Sequence, residues 1–514
     1  MQFLTRIFLS IAVVAIAGPT VSADATDSVA LADRIDHHID SRLRSEGLQP
    51  GESADDAEFL RRIYLDLHGV APTLDQANRF LTDEDPKKRD RLVDALLASP
   101  RYGQYMADIW QDYLISPLAD DRRVRADRFR QWLAEEFNTS TWNNTAAALL
   151  TATGKMEDNP AVIYLIEGRL PRSVPDLTDI TSRYFLGIRL NCAQCHDHPS
   201  VKWKQQDFWG MAAFFTQIQT PKRAKQVYER GVVDDPQLTL ATLRDAGVPD
   251  GFLLRPPTFL GGQALPPEST TPNRAALAAW MTSPENPYFA RAMVNRTWWR
   301  LFGRGLVDPV DDMHEGNPPT HPQLLDLLAR RFVESGFDLK FLTRAIASSR
   351  AYQRTSRPGD ADEKQAALFG RMSIKVLSAG QLYDALEVVA GPPAKVTGID
   401  ARQGARPEFI EFFQATGDAR PTEYLRGIPH LLRQMNSGQF AGRNLDSLVQ
   451  RLSTGDRTPE QITSDLFLTI LARRPSDKEV EQFKSYLANV EPSQNAYREL
   501  AWVLLMGSEF SLNH

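Results

Sequence analysis

Leu177-Thr178-Asp179-Ile180-Thr181-Ser182-Arg183-Tyr184-Phe185-Leu186-Gly187-Ile188-Arg189-Leu190-Asn191-Cys192-Ala193-Gln194-Cys195-His196 carries both the periodicity and the chemistry of this 514-residue chain. Leu177, Ile180, Tyr184 and Ile188 fall at i, i+3, i+7 and i+11, one face of an amphipathic helix. That helix runs directly into Cys192-Ala193-Gln194-Cys195-His196, which holds both cysteines of the sequence. Beyond it, Phe208, Met211, Phe215 and Ile218 mark a second apolar face. The pentapeptide is therefore expected at the junction of two amphipathic helices, with Asp197-His198-Pro199 as a turn.

The same spacing recurs on both sides. Phe59, Ile63 and Leu67, then Leu92, Leu96 and Leu97, then Trp132, Leu133 and Phe137 predict helices before the motif. Leu277, Trp280 and Met281 predict one after it, and Phe289, Met293, Val294 and Trp298 another, closed by Gly303 and Gly305. Leu324, Leu328 and Phe332 follow Pro322 at a first helical position. Leu382, Leu386 and Val389 precede the stop Gly391-Pro392, and Ile462, Leu466 and Ile470 follow Thr458 and Pro459. Thr458 with Gln461 and Ser476 with Glu479 read as capping boxes. Leu500, Val503 and Leu504 belong to the last helix. From about residue 220 to 271 the periodicity weakens and Pro256-Pro257, Gly261-Gly262 and Pro266-Pro267 punctuate the chain. Phe252-Leu253-Leu254 and Phe259-Leu260 make this stretch too apolar for a free linker. The expected fold is mainly α. It has two helical domains, residues 24–219 and 272–514, joined by a short irregular, β-containing connecting segment at 220–271.

At the N-terminus Arg6 precedes an apolar run from Ile7 to Ala17, broken by Gly18-Pro19, with small residues Val21-Ser22-Ala23 before Asp24. Residues 1–23 read as a secretory signal peptide cleaved after Ala23, which places the mature chain in the periplasm or outside the cell. The apolar run is short for a spanning helix, and no later segment is long and apolar enough. A composition of 42% hydrophobic and 24% charged residues is that of a globular protein. The net charge of −6 argues against nucleic acid as a partner. With no cysteine outside the motif, stability has to come from core burial.

Cys192-x-x-Cys195-His196 is the C-x-x-C-H pattern of covalent c-type haem attachment. Two cysteines placed at random stand three apart about once in 250 chains, so chance explains the motif poorly. In the haem reading Cys192 and Cys195 form thioethers and His196 ligates the iron. An exported Cys192–Cys195 pair also admits a redox disulfide, and Cys192, Cys195, His196 and His198 admit a tetrahedral metal site. Haem chemistry turns on the sixth ligand: Met favours electron transfer, and an open position favours binding or catalysis. Met211 is the nearest candidate, although core packing is the ordinary role of such a methionine. Met313 and His314, in a polar loop after Asp311-Asp312, are the other weak candidates; Met156, Met293 and His321 are remote. His198 and Asp197 are candidates to orient the site through hydrogen bonds, Asp197 being first a turn residue. Arg189, Lys202 and Lys204 flank the motif as propionate partners or as an ordinary solvated face. No G-x-S-x-G nucleophile signature is present. Trp298-Trp299 reads as core rather than as a sugar platform.

Phe185 through Pro199, with Lys202-Trp203, Asp207-Phe208 and Ala212-Ala213-Phe214-Phe215, resembles the planctomycete cytochrome-like domain family. Arg291 through Arg296, Leu301 through Val307, His321-Pro322, Glu334 through Asp338, Tyr352-Gln353-Arg354 and Ser508 through His514 resemble its companion, the planctomycete-specific C-terminal domain family. The resemblance implies an exported protein with a c-type haem site and no firmly assigned reaction. It also implies a secreted sulfatase-like protein as a neighbour. Three expectations follow. The first is an electron carrier serving a redox partner. The second is an extracellular haem or metal enzyme linked to polysaccharide use. The third is an interaction scaffold with a Cys192–Cys195 disulfide.

Overall fold

The computed structural model describes residues 25–115, 122–167, 170–219, 231–235, 240–245, 247–267, 269–357, 363–391, 405–413, 422, 445–490 and 493–514. The expected signal peptide, residues 1–23, lies outside the described residues. Among the described residues, 21 α-helices stand against three small antiparallel sheets of two or three strands, so the fold is mainly α. No helix among them is long and apolar enough to cross a membrane.

Helix ends follow the residues that can terminate hydrogen-bond ladders. Asp55 caps Asp56–His68 by accepting from the Glu58 N–H at 2.9 Å, and left-handed Gly69 closes it. Phe59, Ile63 and Leu67 of that helix are fully buried, as their spacing requires. Pro322 opens Pro322–Glu334, and Gly303 stops Phe289–Phe302 at φ 78°. Both expected capping boxes form, at Thr458/Gln461 and Ser476/Glu479. Val503 departs from expectation: it lies in the last helix, Gln494–Met506, but on the outward face, 54% exposed.

The stretch between the halves contains strand, as expected. Gly231–Asp234 pairs with Gly154–Lys155 on one side and Ile218–Gln219 on the other. Residues 247–267 pack back on the helix Gln205–Ala212. The Thr258 N–H donates to the Gly210 carbonyl at 2.9 Å, and the Phe252 ring stacks on Trp209 with centroids 5.9 Å apart. Buried Arg274 then clamps the next helix, Asn273–Met281, to the strand. Its guanidinium donates to Asp234 at 2.9 and 2.7 Å and to the carbonyls of Leu150 and Ala152 at 2.6 and 2.9 Å.

Buried apolar side chains form two clusters. One runs mainly from Leu31 to Met372, with Leu468, and holds the motif region together with the helices of residues 273–347. The other runs mainly from Leu377 to Phe510. The helix Asp56–His68 serves both: Phe59, Ile63 and Leu67 enter the first, and Leu65 enters the second. Between them lies a polar seam. Buried Asp66 receives Lys375 Nζ at 2.6 and 2.7 Å, the Tyr352 hydroxyl at 2.8 Å and the Asn513 amide at 2.8 Å. Arg61 donates to the carbonyls of Phe510 and Leu512 at 2.9 and 3.2 Å. Lys375 meets a carboxylate and Arg61 only carbonyls, and burial still pushes the Lys375 ammonium down to about 8 and the Arg61 guanidinium down to about 10.

Candidate functional site

The helix that leads to the cysteines is Val174–Leu186. The Ser173 hydroxyl caps it by accepting from the Asp176 N–H at 3.2 Å. It ends at Leu186, two residues before Ile188, because Gly187 adopts φ 68°, a conformation open to glycine. The N–H groups of Gly187 and Ile188 turn back to the carbonyls of Arg183 and Ser182 at 3.1 and 3.0 Å. The buried face is Leu177, Thr178, Thr181 and Phe185; Ile180 and Tyr184 are only half-buried, and Ile188 is buried beyond the helix.

After buried Leu190 the chain makes a short 3₁₀ turn, Asn191–Gln194, with Cys195 immediately after it. Side chains three apart in such a turn stand on the same side. Cys192 and Cys195 are three apart, exposed, and carry free thiols. Ala193 between them points inward and is fully buried. The backbone that holds them is fixed from the next helix, Gln205–Ala212. The Gln205 amide donates to the carbonyls of Gln194 and Cys195 at 3.1 Å each, and the Trp209 indole N–H to Gln194 at 3.1 Å.

His196 is exposed, and its Nδ1 lies 2.8 Å from the Asp197 carbonyl oxygen. A carbonyl accepts only, so in the neutral ring Nδ1 carries the proton and Nε2 keeps its lone pair. This is the tautomer that a metal-ligating histidine needs. Asp197 supplies that carbonyl, and its carboxylate accepts from the Gln205 N–H at 2.9 Å. His198 turns elsewhere: its Nδ1 accepts from the Ser200 N–H at 3.2 Å, and its own N–H donates to Trp203 O at 2.9 Å. Cys192, Cys195, His196 and His198 do not converge as a ready metal cage, and no such group of three or more ligands occurs among the described residues.

Around this turn the structure places the remaining candidates at very different depths. Met211, Met156 and Met293 are buried in the core, and His321 is buried too. The loop that carries Met313 and His314, more than a hundred residues along the chain, touches residues that flank the motif. The Met313 N–H donates to the Gly187 carbonyl at 2.9 Å, and Lys202 Nζ lies 3.6 Å from Glu315. Asp311, which ion-pairs with Arg183 at 3.2 Å and with buried Arg296, anchors the start of that loop. His314 Nδ1 accepts from the Gly316 N–H at 3.0 Å, so the loop partly satisfies its imidazole internally. Trp298 is fully buried and stacks on Phe302, a core role as expected.

An open groove of about 650 Å³ starts at Asp197, the residue after His196. Lys204, Gln205 and Gln206 line it together with Asp250, Gly251, Phe252, Leu254, Arg255 and Pro256. Its volume is that of a ligand site. A smaller cavity of about 210 Å³ lies behind it, against Trp209, Leu243, Val248 and Leu253. Nothing in the residue pattern places residues 250–256 beside Asp197 and the helix Gln205–Ala212. The one signal was the apolar run Phe252-Leu253-Leu254, out of place in a linker.

Residues 34–220 match the model of the PSCyt2 family, described as a protein of unknown function (DUF1549). Residues 273–428 match that of the PSD1 family, also described as a protein of unknown function (DUF1553). No curated protein and no solved structure matches the chain. The described residues 247–267, between the two matches, pack onto the helix Gln205–Ala212 that follows the motif. The cysteine turn lies inside the first match, and the Met313 loop that reaches it lies inside the second. The chain thus carries, in that order, a match to the planctomycete cytochrome-like PSCyt2 family over residues 34–220 and a match to the planctomycete-specific PSD1 family over residues 273–428.

Proposed function

We propose that this protein is an exported c-type haem-binding protein that passes electrons to or from a partner protein. The observation that carries the reading is the geometry of one turn. Two free, exposed thiols stand on one side of a 3₁₀ turn, and the imidazole beside them has its Nδ1 committed to a carbonyl. Those donors suit a haem attached through Cys192 and Cys195 and ligated by Nε2 of His196. When bound, the haem supplies a one-electron couple whose potential depends on its axial ligands and surroundings.

The chain's own residues do the rest. Gln205 and Trp209 hold the motif carbonyls in place, and Asp197 O orients the imidazole. Met313 and His314 are the candidates best placed for the second axial position, since their loop contacts Gly187 and Lys202 on either side of the motif. The leader-like run Ile7 to Ala17 and Val21-Ser22-Ala23 support export, the compartment in which this attachment takes place. The partners to test are a redox protein and a secreted sulfatase-like protein.

The test is the pyridine haemochrome spectrum of the full chain, exported from a host that has c-type haem-attachment machinery. A c-type spectrum that survives acid–organic extraction supports the reading. Protein without haem and lighter by two protons would replace it with a Cys192–Cys195 disulfide. Carbon monoxide binding by the reduced protein would reveal an open iron position and shift the role from carrier to enzyme.

A further inference from the structure

We infer that the cavity of about 210 Å³ beside Trp209 is a binding site for a small carboxylate with a single apolar ring, its carboxylate held by Arg255. Neither thiol nor the His196 imidazole lines this cavity, and binding there requires no haem. The walls are mostly apolar. Trp209, Leu243, Val248, Phe252, Leu253 and Pro257 line the cavity, and the Phe252 ring stacks on Trp209 with centroids 5.9 Å apart. Such walls favour an apolar body, and the volume limits its size. An apolar cavity of about 150 Å³ holds one benzene ring, whereas drug-sized ligands occupy about 300–1,000 Å³. A single ring with a short polar arm therefore fits, and a macrocycle or a long acyl chain does not.

Charge selects the polar arm. Arg255 is the one charged residue on the lining, and no Asp or Glu accompanies it. Its Nε is buried without a hydrogen-bond partner, and its guanidinium forms no ion pair among the described residues. A buried donor without an acceptor is costly until a ligand supplies one. A carboxylate suits the place because it accepts from two guanidinium N–H groups at once. Local turns hold Arg255 at the cavity: the Phe252 N–H donates to the Pro249 carbonyl at 2.9 Å, and the Arg255 N–H to the Phe252 carbonyl at 3.0 Å. Half-buried Gln217 and Asn273 add polar groups to the lining. Arg255 lines the neighbouring groove as well, but Asp197 and Asp250 stand there and repel an anion. Trp209 ties the cavity to the cysteine turn, since its ring is a wall and its indole N–H donates to the Gln194 carbonyl at 3.1 Å. Cavity and cysteine turn thus share one side chain.

The experiment titrates the full chain with phenylacetate and with its neutral isostere phenylacetamide, by calorimetry, for wild type, Arg255→Gln, Ala213→Leu and Lys204→Gln. Ala213 lines the cavity and not the groove; Lys204 lines the groove and not the cavity. Phenylacetate should bind wild type with a Kd of about 1 mM or tighter, within reach of a ligand of about ten non-hydrogen atoms. It should bind at least about tenfold more tightly than phenylacetamide, the margin of a charge-assisted hydrogen bond. Arg255→Gln should bring the two ligands to equal affinity, Ala213→Leu should fill the space and abolish both, and Lys204→Gln should behave as wild type. No saturable binding by wild type up to about 10 mM, or equal wild-type affinity for the acid and the amide, would overturn the site. So would a folded Ala213→Leu that binds like wild type. A preference for the acid that is lost in Lys204→Gln and kept in Arg255→Gln would place the ligand in the groove and overturn the assignment of the cavity.

Discussion

At Gly187 the backbone does what periodicity alone does not reveal. The spacing of Leu177, Ile180, Tyr184 and Ile188 extends a helix through residue 188, yet the left-handed glycine ends it at Leu186 and turns the chain toward Cys192. The cysteine motif, its two thiols and the neighbouring imidazole were legible residue by residue, because their chemistry is local. The loop of Met313 was not, because only tertiary packing brings its N–H to the Gly187 carbonyl. Gly187 is also tight: a Cβ there would lie 3.2 Å from Ala292 Cβ and 3.3 Å from Met313 Sδ. Gly187→Ala is expected to lose about 1–2 kcal/mol, from left-handed strain plus that crowding, as measured by urea unfolding. A stability equal to wild type would show that the turn does not depend on the glycine.

At the scale of elements, most helices were readable because caps and stops are written in the sequence. Thr458/Gln461, Ser476/Glu479, Pro322 and Gly303 all act where their residue types require. The placement of residues 250–256 was not readable. That segment is set by contacts with the Gln205–Ala212 helix, chiefly the Thr258 N–H to Gly210 bond and the Trp209–Phe252 stack. At Gly210 an added Cβ would come within 2.8 Å of Thr258 Cβ. Gly210→Ala should therefore loosen the 250–260 wall while leaving distant helices unchanged. Hydrogen exchange would show it as faster exchange at Thr258 and its neighbours. Unchanged protection there would mean that the wall is held by other contacts.

At the scale of the whole molecule, the two family matches do not correspond to two separate cores. Helices of the PSD1 match, from Asn273 to Ala347, share one apolar cluster with the motif region, and the second cluster begins near Leu377. Sequence spacing shows which residues face inward but not which helices share an interior. Stability of the whole should depend on pH through His321, which is buried with Nδ1 near the Thr320 hydroxyl and Nε2 unpartnered. Burial, with Arg42 and His38 nearby, pushes its pKa down from 6.5 to about 4. Below pH 6.5 the unfolded chain takes up a proton that the folded chain refuses. Stability is therefore full above pH 6.5 and falls as pH drops toward 4, by about 3 kcal/mol for this group. His321→Gln should flatten that part of the urea-midpoint profile; an identical slope in the variant would assign it to other groups.

The most direct measurement is the intact mass of the exported chain, made with haem-attachment machinery, for wild type and for a Cys192→Ser/Cys195→Ser variant. A motif built as described gives a wild-type mass higher by one covalently bound haem, whereas the variant has none. A wild-type mass equal to that of the bare polypeptide, with or without the loss of two protons, would overturn the haem assignment.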